Sequence, residues 1–213
     1  MKQRATLGAL SALLLFLLLT AALRLVDVAP IGPMQTSVGL ASLNGFIHAR
    51  IGFQPFWLLL SEVLGLLALA VGAGFGLIGL AQLVRQRSLR GVDPALLRLG
   101  ALYAVTLAVY LLFERIVVNL RPVLLAGEAF PEASYPSSHT VLALSILGGG
   151  IAFVDVRPGR HPQLIQGLMA GLLTLIVVGR LLSGVHWLTD IVGGLLLGAA
   201  LVLFYVASVR EER

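Results

Sequence analysis

The stretch GRLLSGVHWLTDIVGGLLLGAALVLFYVA, residues 179–207, sets a cluster of polar groups directly before a long apolar run. Arg180, His186 and Asp190 fall within it, and no charged residue follows from Ile191 to Val209. A bilayer helix needs about 20 apolar residues, whereas a barrel strand needs only about 10. The run therefore predicts a membrane-spanning helix. Similar runs cover roughly 5–25, 57–82, 95–117, 139–155, 164–181 and 188–208. Composition agrees with this pattern: 58% of residues are hydrophobic and 12% are charged, with a mean hydropathy of +0.98. A soluble domain carries about 25% charged residues. We expect an all-α integral membrane protein, a six-transmembrane-helix bundle forming one membrane domain over residues 1–213. No repeat, linker or second domain interrupts it.

Charge sorts the connections into two sets. Lys2 and Arg4, then Arg85, Arg87, Arg90 and Arg98, then Arg157 and Arg160, and finally Arg210 and Arg213 form the richer set. The poorer set holds Arg24, Arg50, Arg115, Arg121 and Arg180. The positive-inside rule makes the richer set cytoplasmic. Both termini are then cytoplasmic, and the loops at 26–56, 118–138 and 181–187 face the extracytoplasmic side of the cell membrane. The first span is too long for a signal-peptide core of about 7–15 residues and reads as a retained helix. The formal charge of +5 follows from this sidedness and requires no nucleic-acid partner. The absence of cysteine excludes disulfides and thiolate metal sites. Small residues one turn apart, Gly72/Gly76, Gly167/Gly171 and Gly194/Gly198, are candidates for close helix approach.

The reactive groups gather at the outward ends of the spans. ERIVVNLRP (114–122) closes the third, SYPSSHT (134–140) opens the fourth, and GRLLSGVHWLTD (179–190) joins the fifth to the sixth. His186 and Asp190 have the spacing that stacks two side chains on one helical face. A carboxylate on one imidazole nitrogen fixes the tautomer and leaves the other nitrogen as base or nucleophile. Ser137 after Pro136 is a helix entry whose unpaired N–H groups and macrodipole attract anions. His139 lies in that same turn. Arg121 and Arg180, with Arg115, offer planar forked donors that match phosphate oxygens. Cationic clamps, an oriented histidine and a second histidine together describe phosphoryl transfer. No acidic cluster is left over for a divalent metal. Glu62, about a turn inside the second span, is expected to pair with a site arginine, since a carboxylate at that depth is costly.

These residues resemble the type 2 phosphatidic acid phosphatases, within the acid phosphatase and vanadium haloperoxidase superfamily. The signature of that family is Lys-x6-Arg-Pro, Pro-Ser-Gly-His and Ser-Arg-x5-His-x3-Asp. Arg121-Pro122 matches the end of the first block, Pro136-Ser137-Ser138-His139 the second with one change, and Arg180, His186 and Asp190 the third. The likeness spans roughly residues 57–205. It implies catalytic roles for His186 as phosphohistidine, Asp190 as its orienting group and His139 as acid to the leaving group. It implies phosphate binding by Arg121, Arg180, Ser137 and the backbone N–H of Ser138, and no metal or cofactor. Glu114 stands at the family's lysine position, with Arg115 beside it as a further phosphate-ligand candidate. Ser138 replaces a glycine and Gly179 a serine. The implied substrate is a membrane lipid phosphate, undecaprenyl pyrophosphate first, then phosphatidic acid or phosphatidylglycerophosphate. An inactive polyprenyl-phosphate-binding relative and a small transporter remain as alternatives.

Overall fold

The computed structural model describes residues 2–210; Arg213, counted above among the cytoplasmic cations, lies outside them. Six helical segments are long and apolar enough to cross a membrane. They are α1 (Lys2–Leu25), α3 (Pro55–Gln86), α4 (Pro94–Arg115), the pair α5 (Ser138–Ala143) and α6 (Gly149–Val156), α7 (Pro162–Leu182) and α8 (Leu188–Val209). A π turn, Leu144–Gly148, joins α5 to α6 within one continuous span. The expected spans agree to within a few residues. A further helix, α2 (Ala41–Ile51), occupies the first outer loop, where the sequence pattern predicts none. Among the described residues there is no strand, only isolated bridges such as Leu120 with Ala133.

Local chemistry explains the helix starts. Asp93 caps α4 by accepting the N–H of Ala95 at 2.8 Å, with Pro94 at the first helical position, where its missing N–H costs nothing. Pro55 and Pro162 also stand at the first positions of α3 and α7, there without a side-chain cap. The α5–α6 span and α8 form the centre, with 56% and 44% of their apolar windows buried, against 11% for α3. The outer helices turn leucines outward, among them Leu14 and Leu18 on α1, Leu66 and Leu77 on α3, and Leu168 on α7. In water such a surface would drive aggregation; around a membrane bundle it faces lipid.

Two helices meet closely where side chains are small. A Cβ on Gly194 would stand 2.8 Å from Thr140 Cβ and 3.0 Å from the Ser137 carbonyl oxygen. One on Gly198 would stand 3.0 Å from Leu144 Cβ. This packs α8 against the helix that carries the Ser137–His139 turn. The other small-residue pairs differ: Gly72 faces Ile146, but Gly76, Gly167 and Gly171 have nothing within 4 Å.

Contacts at the helix ends group the loops as the charge pattern does. Arg157 pairs with Asp93 at 2.7 Å, and Arg210 with Asp155 at 3.3 Å. At the opposite end the Gln54 N–H donates to the Ser183 carbonyl, Trp187 Nε1 to Leu120, and the Ser137 N–H to Asp190. Three segments far apart in sequence are thereby tied into one surface.

Candidate active site

Four elements supply the site. Arg180 ends α7, Asp190 lies in the first turn of α8, His139 lies in the first turn of α5, and Arg121 lies in the loop after α4. A cavity at this end is lined by Thr106, Tyr110, Glu114, Arg121, Glu132, Ser138, His139 and His186.

His186 and Asp190 meet, but not as neighbours on a helical face. Helix α8 begins at Leu188, so His186 precedes it in the connecting turn. Asp190 turns back toward that connection. Its Oδ2 accepts the Trp187 N–H at 2.9 Å and stands 3.6 Å from His186 Nδ1. The helix start, rather than helical periodicity, therefore brings the pair together. Asp190 is fully buried, and Asn119 and Ser134 present hydrogen-bonding side chains to it. Asn119 Nδ2, Ser134 Oγ and Asp190 Oδ1 are buried, and none of them makes a hydrogen bond among the described residues.

Arg180 defines the other side of the imidazole. Its Nη2 lies 3.1 Å from His186 Nε2. A guanidinium can only donate, so Nε2 is the accepting, unprotonated nitrogen. That tautomer places the proton on Nδ1, toward Asp190, and the lone pair on Nε2. Arg180 is 2% exposed, and its Nε and Nη1 have no hydrogen-bond partner. Buried donors of this kind are costly unless they are satisfied. Burial, reinforced by the Arg180 and Arg121 charges, holds the His186 pKa well below the ordinary histidine value. The imidazole is therefore neutral at neutral pH.

The second histidine completes the group. His139 lies within electrostatic reach of Arg180, His186 and Arg121. Gly65 on α3 makes room for it: a Cβ there would stand 3.3 Å from His139 Cδ2. Ser137 is fully buried, its hydroxyl accepting from Thr140 Oγ1 at 3.1 Å. Ser138 lines the cavity, and its N–H belongs to a first helical turn, where backbone donors lack intrahelical partners. Behind the turn, Tyr135 is buried against α1, its hydroxyl 2.8 Å from Thr20 Oγ1. Burial pushes that phenol up to about 12.

The arginines differ among themselves. Arg121 faces the cavity but is held by Glu132 at 2.7 Å and Glu128 at 3.4 Å. Arg115 is exposed and absent from the cavity wall; at that turn of α4 the wall is Glu114. Glu62 makes no ion pair within 4 Å with any described residue, but its charge acts on Arg180 from a longer distance. It lines an apolar cavity with Gly65, Leu66, Leu69, His139, Leu142 and Ile146. Among the described residues no group of three or more histidines or carboxylates is arranged to hold a metal ion.

Asn119 and Ser134 were within reach of sequence reading, since both fall inside the polar blocks. Neither has a periodic or charged signature that would single it out. Asn44 on α2 has no such signal in the sequence.

Fold and site together define a multi-pass helical membrane protein with a histidine–arginine centre at one end of its bundle. The chain belongs to the PAP2 superfamily, whose model matches residues 95–213. Over its length the chain is also similar in fold to the crystal structure of the first transmembrane PAP2 type phosphatidylglycerolphosphate phosphatase from Bacillus subtilis. The two are 19% identical with a TM-score of 0.69, and the match covers 96% of each chain. No curated protein matches the sequence.

Proposed function

We propose that this chain is a membrane lipid phosphate phosphatase acting through a phosphohistidine, with no need for a metal. In the first step the Nε2 lone pair of His186 attacks phosphorus. The bond from phosphorus to the leaving oxygen breaks, and His139, which takes up a proton once the bound phosphate's negative charge offsets Arg180 and Arg121, gives that oxygen its proton. In the second step water attacks the phosphohistidine, His139 takes the proton, and the P–N bond breaks to release phosphate. Asp190 keeps Nδ1–H in place and balances the imidazolium character that develops during attack. Arg180 and Arg121, with the Ser137 hydroxyl and the Ser138 N–H, stabilise the phosphoryl oxygens.

The contact between Arg180 and His186 carries this proposal. Arg180 holds the attacking nitrogen's lone pair and has two further buried donors unpaired. A phosphate group would take those donors and free Nε2 in one movement. The apolar cavity between α3 and α5 gives a place for lipid chains, since His139 lines both it and the polar cavity. The charge pattern supports cytoplasmic termini and an extracytoplasmic site in the cell membrane.

Undecaprenyl pyrophosphate, phosphatidic acid and phosphatidylglycerophosphate are the substrates to test. Purified protein in detergent with EDTA is expected to release phosphate from at least one of them, and His186→Ala to release none. EDTA-sensitive release would overturn the metal-free mechanism. Release by the His186→Ala variant would overturn the nucleophile. Binding without release by the wild type would make the chain an inactive relative.

A further inference from the structure

The outer helix α2 lies outside the residues that match the family model, yet it bonds directly to the turn that begins α8. Asn44 is its most buried polar residue, at 0% exposure. Its Nδ2 donates to the Gly39 carbonyl at 2.8 Å and to Thr189 Oγ1 at 3.0 Å. Its Oδ1 accepts the Thr189 backbone N–H at 3.2 Å. Thr189 is the second residue of α8, immediately before Asp190.

A helix start leaves its first N–H groups without intrahelical partners, and a Ser, Thr, Asp or Asn at the N-cap normally accepts one of them. Here the N-cap is Trp187, which has only a donor. That donor is spent on the Leu120 carbonyl. Asn44 thus supplies from another segment the acceptor that the N-cap cannot. The same segment also meets a neighbour of Asp190. The Gly39 N–H donates to Asn119 Oδ1 at 3.4 Å, and the Asn119 side chain lies within electrostatic reach of Asp190. No other residue fits at Gly39, because a Cβ would overlap the Leu23 backbone. His48 adds a third tie, with Nε2 3.1 Å from the Gly184 carbonyl and its ring 5.3 Å from that of Trp187.

We infer that Asn44 is a positioning residue for the nucleophile: it caps α8 in trans, fixing the turn from which Asp190 holds His186. The inference rests on the histidine mechanism proposed above. Asn44 touches no reacting atom, so its loss should alter the chemical step and leave phosphate binding in place. Misplacing a reacting group by about 1 Å costs on the order of 100-fold, and partial loosening less.

The test compares Asn44→Ala, Asn44→Ser and Asn44→Asp in full-length protein in detergent. Serine keeps a hydroxyl for Gly39 but is too short for Thr189, and it carries the test where the alanine variant does not fold. Aspartate keeps the acceptor. For alanine and serine, kcat is expected to fall about tenfold to 100-fold, with KM and the Kd for inorganic phosphate within about twofold. Aspartate is expected to restore part of kcat. In an Asp190→Ala background, removing Asn44 should change kcat by less than about twofold, since the two act through one imidazole. Wild-type kcat in the serine variant would overturn the inference. So would a parallel loss of phosphate binding, or an undiminished effect of Asn44 when Asp190 is absent. An active His186→Ala variant would instead remove the mechanism on which it stands.

Discussion

Arg180 offers a test in which stability and activity should move in opposite directions. Replacing it by methionine keeps much of the side-chain length and removes the guanidinium. The structure gives the balance. Two buried donors, Nε and Nη1, have no partner, and each such group costs about 1–3 kcal/mol. Against this, one charged hydrogen bond to His186 is lost, worth about 1.5–3 kcal/mol. The ligand-free Arg180→Met protein should therefore melt at or above the wild-type temperature. Catalysis should respond the other way. Losing two charge-assisted bonds to a phosphoryl group removes about 3–6 kcal/mol, which corresponds to a fall in kcat/KM of about 10²–10⁴. A third measurement joins the two. Inorganic phosphate at about 100 times its Kd should stabilise the wild type by about 2.7 kcal/mol and the variant by almost nothing. Thermal unfolding in detergent, with and without phosphate, reads all of this. A variant that melts well below the wild type yet keeps its phosphate-induced shift would refute the reasoning, because Arg180 would then be a structural residue.

Three further outcomes follow from the geometry. With the His186 pKa held well below its ordinary value, the unfolded chain binds a proton near pH 6.5 that the folded chain refuses. Stability should therefore fall as pH drops below about 6.5, by up to about 1.4 kcal/mol per pH unit from this group. His186→Gln should flatten that slope in acid melts. Gly65→Val would push into His139, whose Cδ2 already stands 3.3 Å from the Cβ position. It is expected to lower kcat about tenfold or more while barely altering the melting temperature, and an unchanged kcat would detach His139 from the reaction. Glu114→Gln removes a carboxylate from the cavity wall. It should lower KM for a pyrophosphate more than for a monophosphate, because the second phosphate adds charge near that wall. Equal effects on both substrates would exclude Glu114 from discrimination.

The spans were legible because lipid imposes one rule on every helix, an apolar run of fixed length. The same rule made the polar blocks conspicuous, and Arg121, Ser138, His139 and His186 do share one cavity wall. What eluded sequence reading depends on turns instead of periods. The spacing of His186 and Asp190 suggests a helical face, but α8 starts between them and Asp190 folds back to reach the histidine. Glu114 and Arg115 are adjacent, and only the rotation of α4 decides which one faces the cavity. Glu62 lines a cavity with His139 and acts on Arg180 only from beyond ion-pair distance, since its separation from the arginines depends on how α3 packs. Asn44 sits on the short helix α2, whose sequence has no membrane-length apolar run. Its proposed role depends on Thr189, far along the chain.

Arg180, His139 and Asp190 all stand at one end of the helices: Arg180 lies in the last turn of α7, while His139 and Asp190 lie in the first turns of their spans. A hydrocarbon core of about 30 Å lies beyond them. Under the proposed activity, only phosphates in the adjoining leaflet can reach the site, because a charged headgroup does not readily cross that layer. Turnover in a sealed membrane would then deplete one leaflet and stop, with substrate still present in the other. Whatever carries lipid from one leaflet to the other would set the sustained rate. Detergent micelles, which have no second leaflet, would hide that dependence.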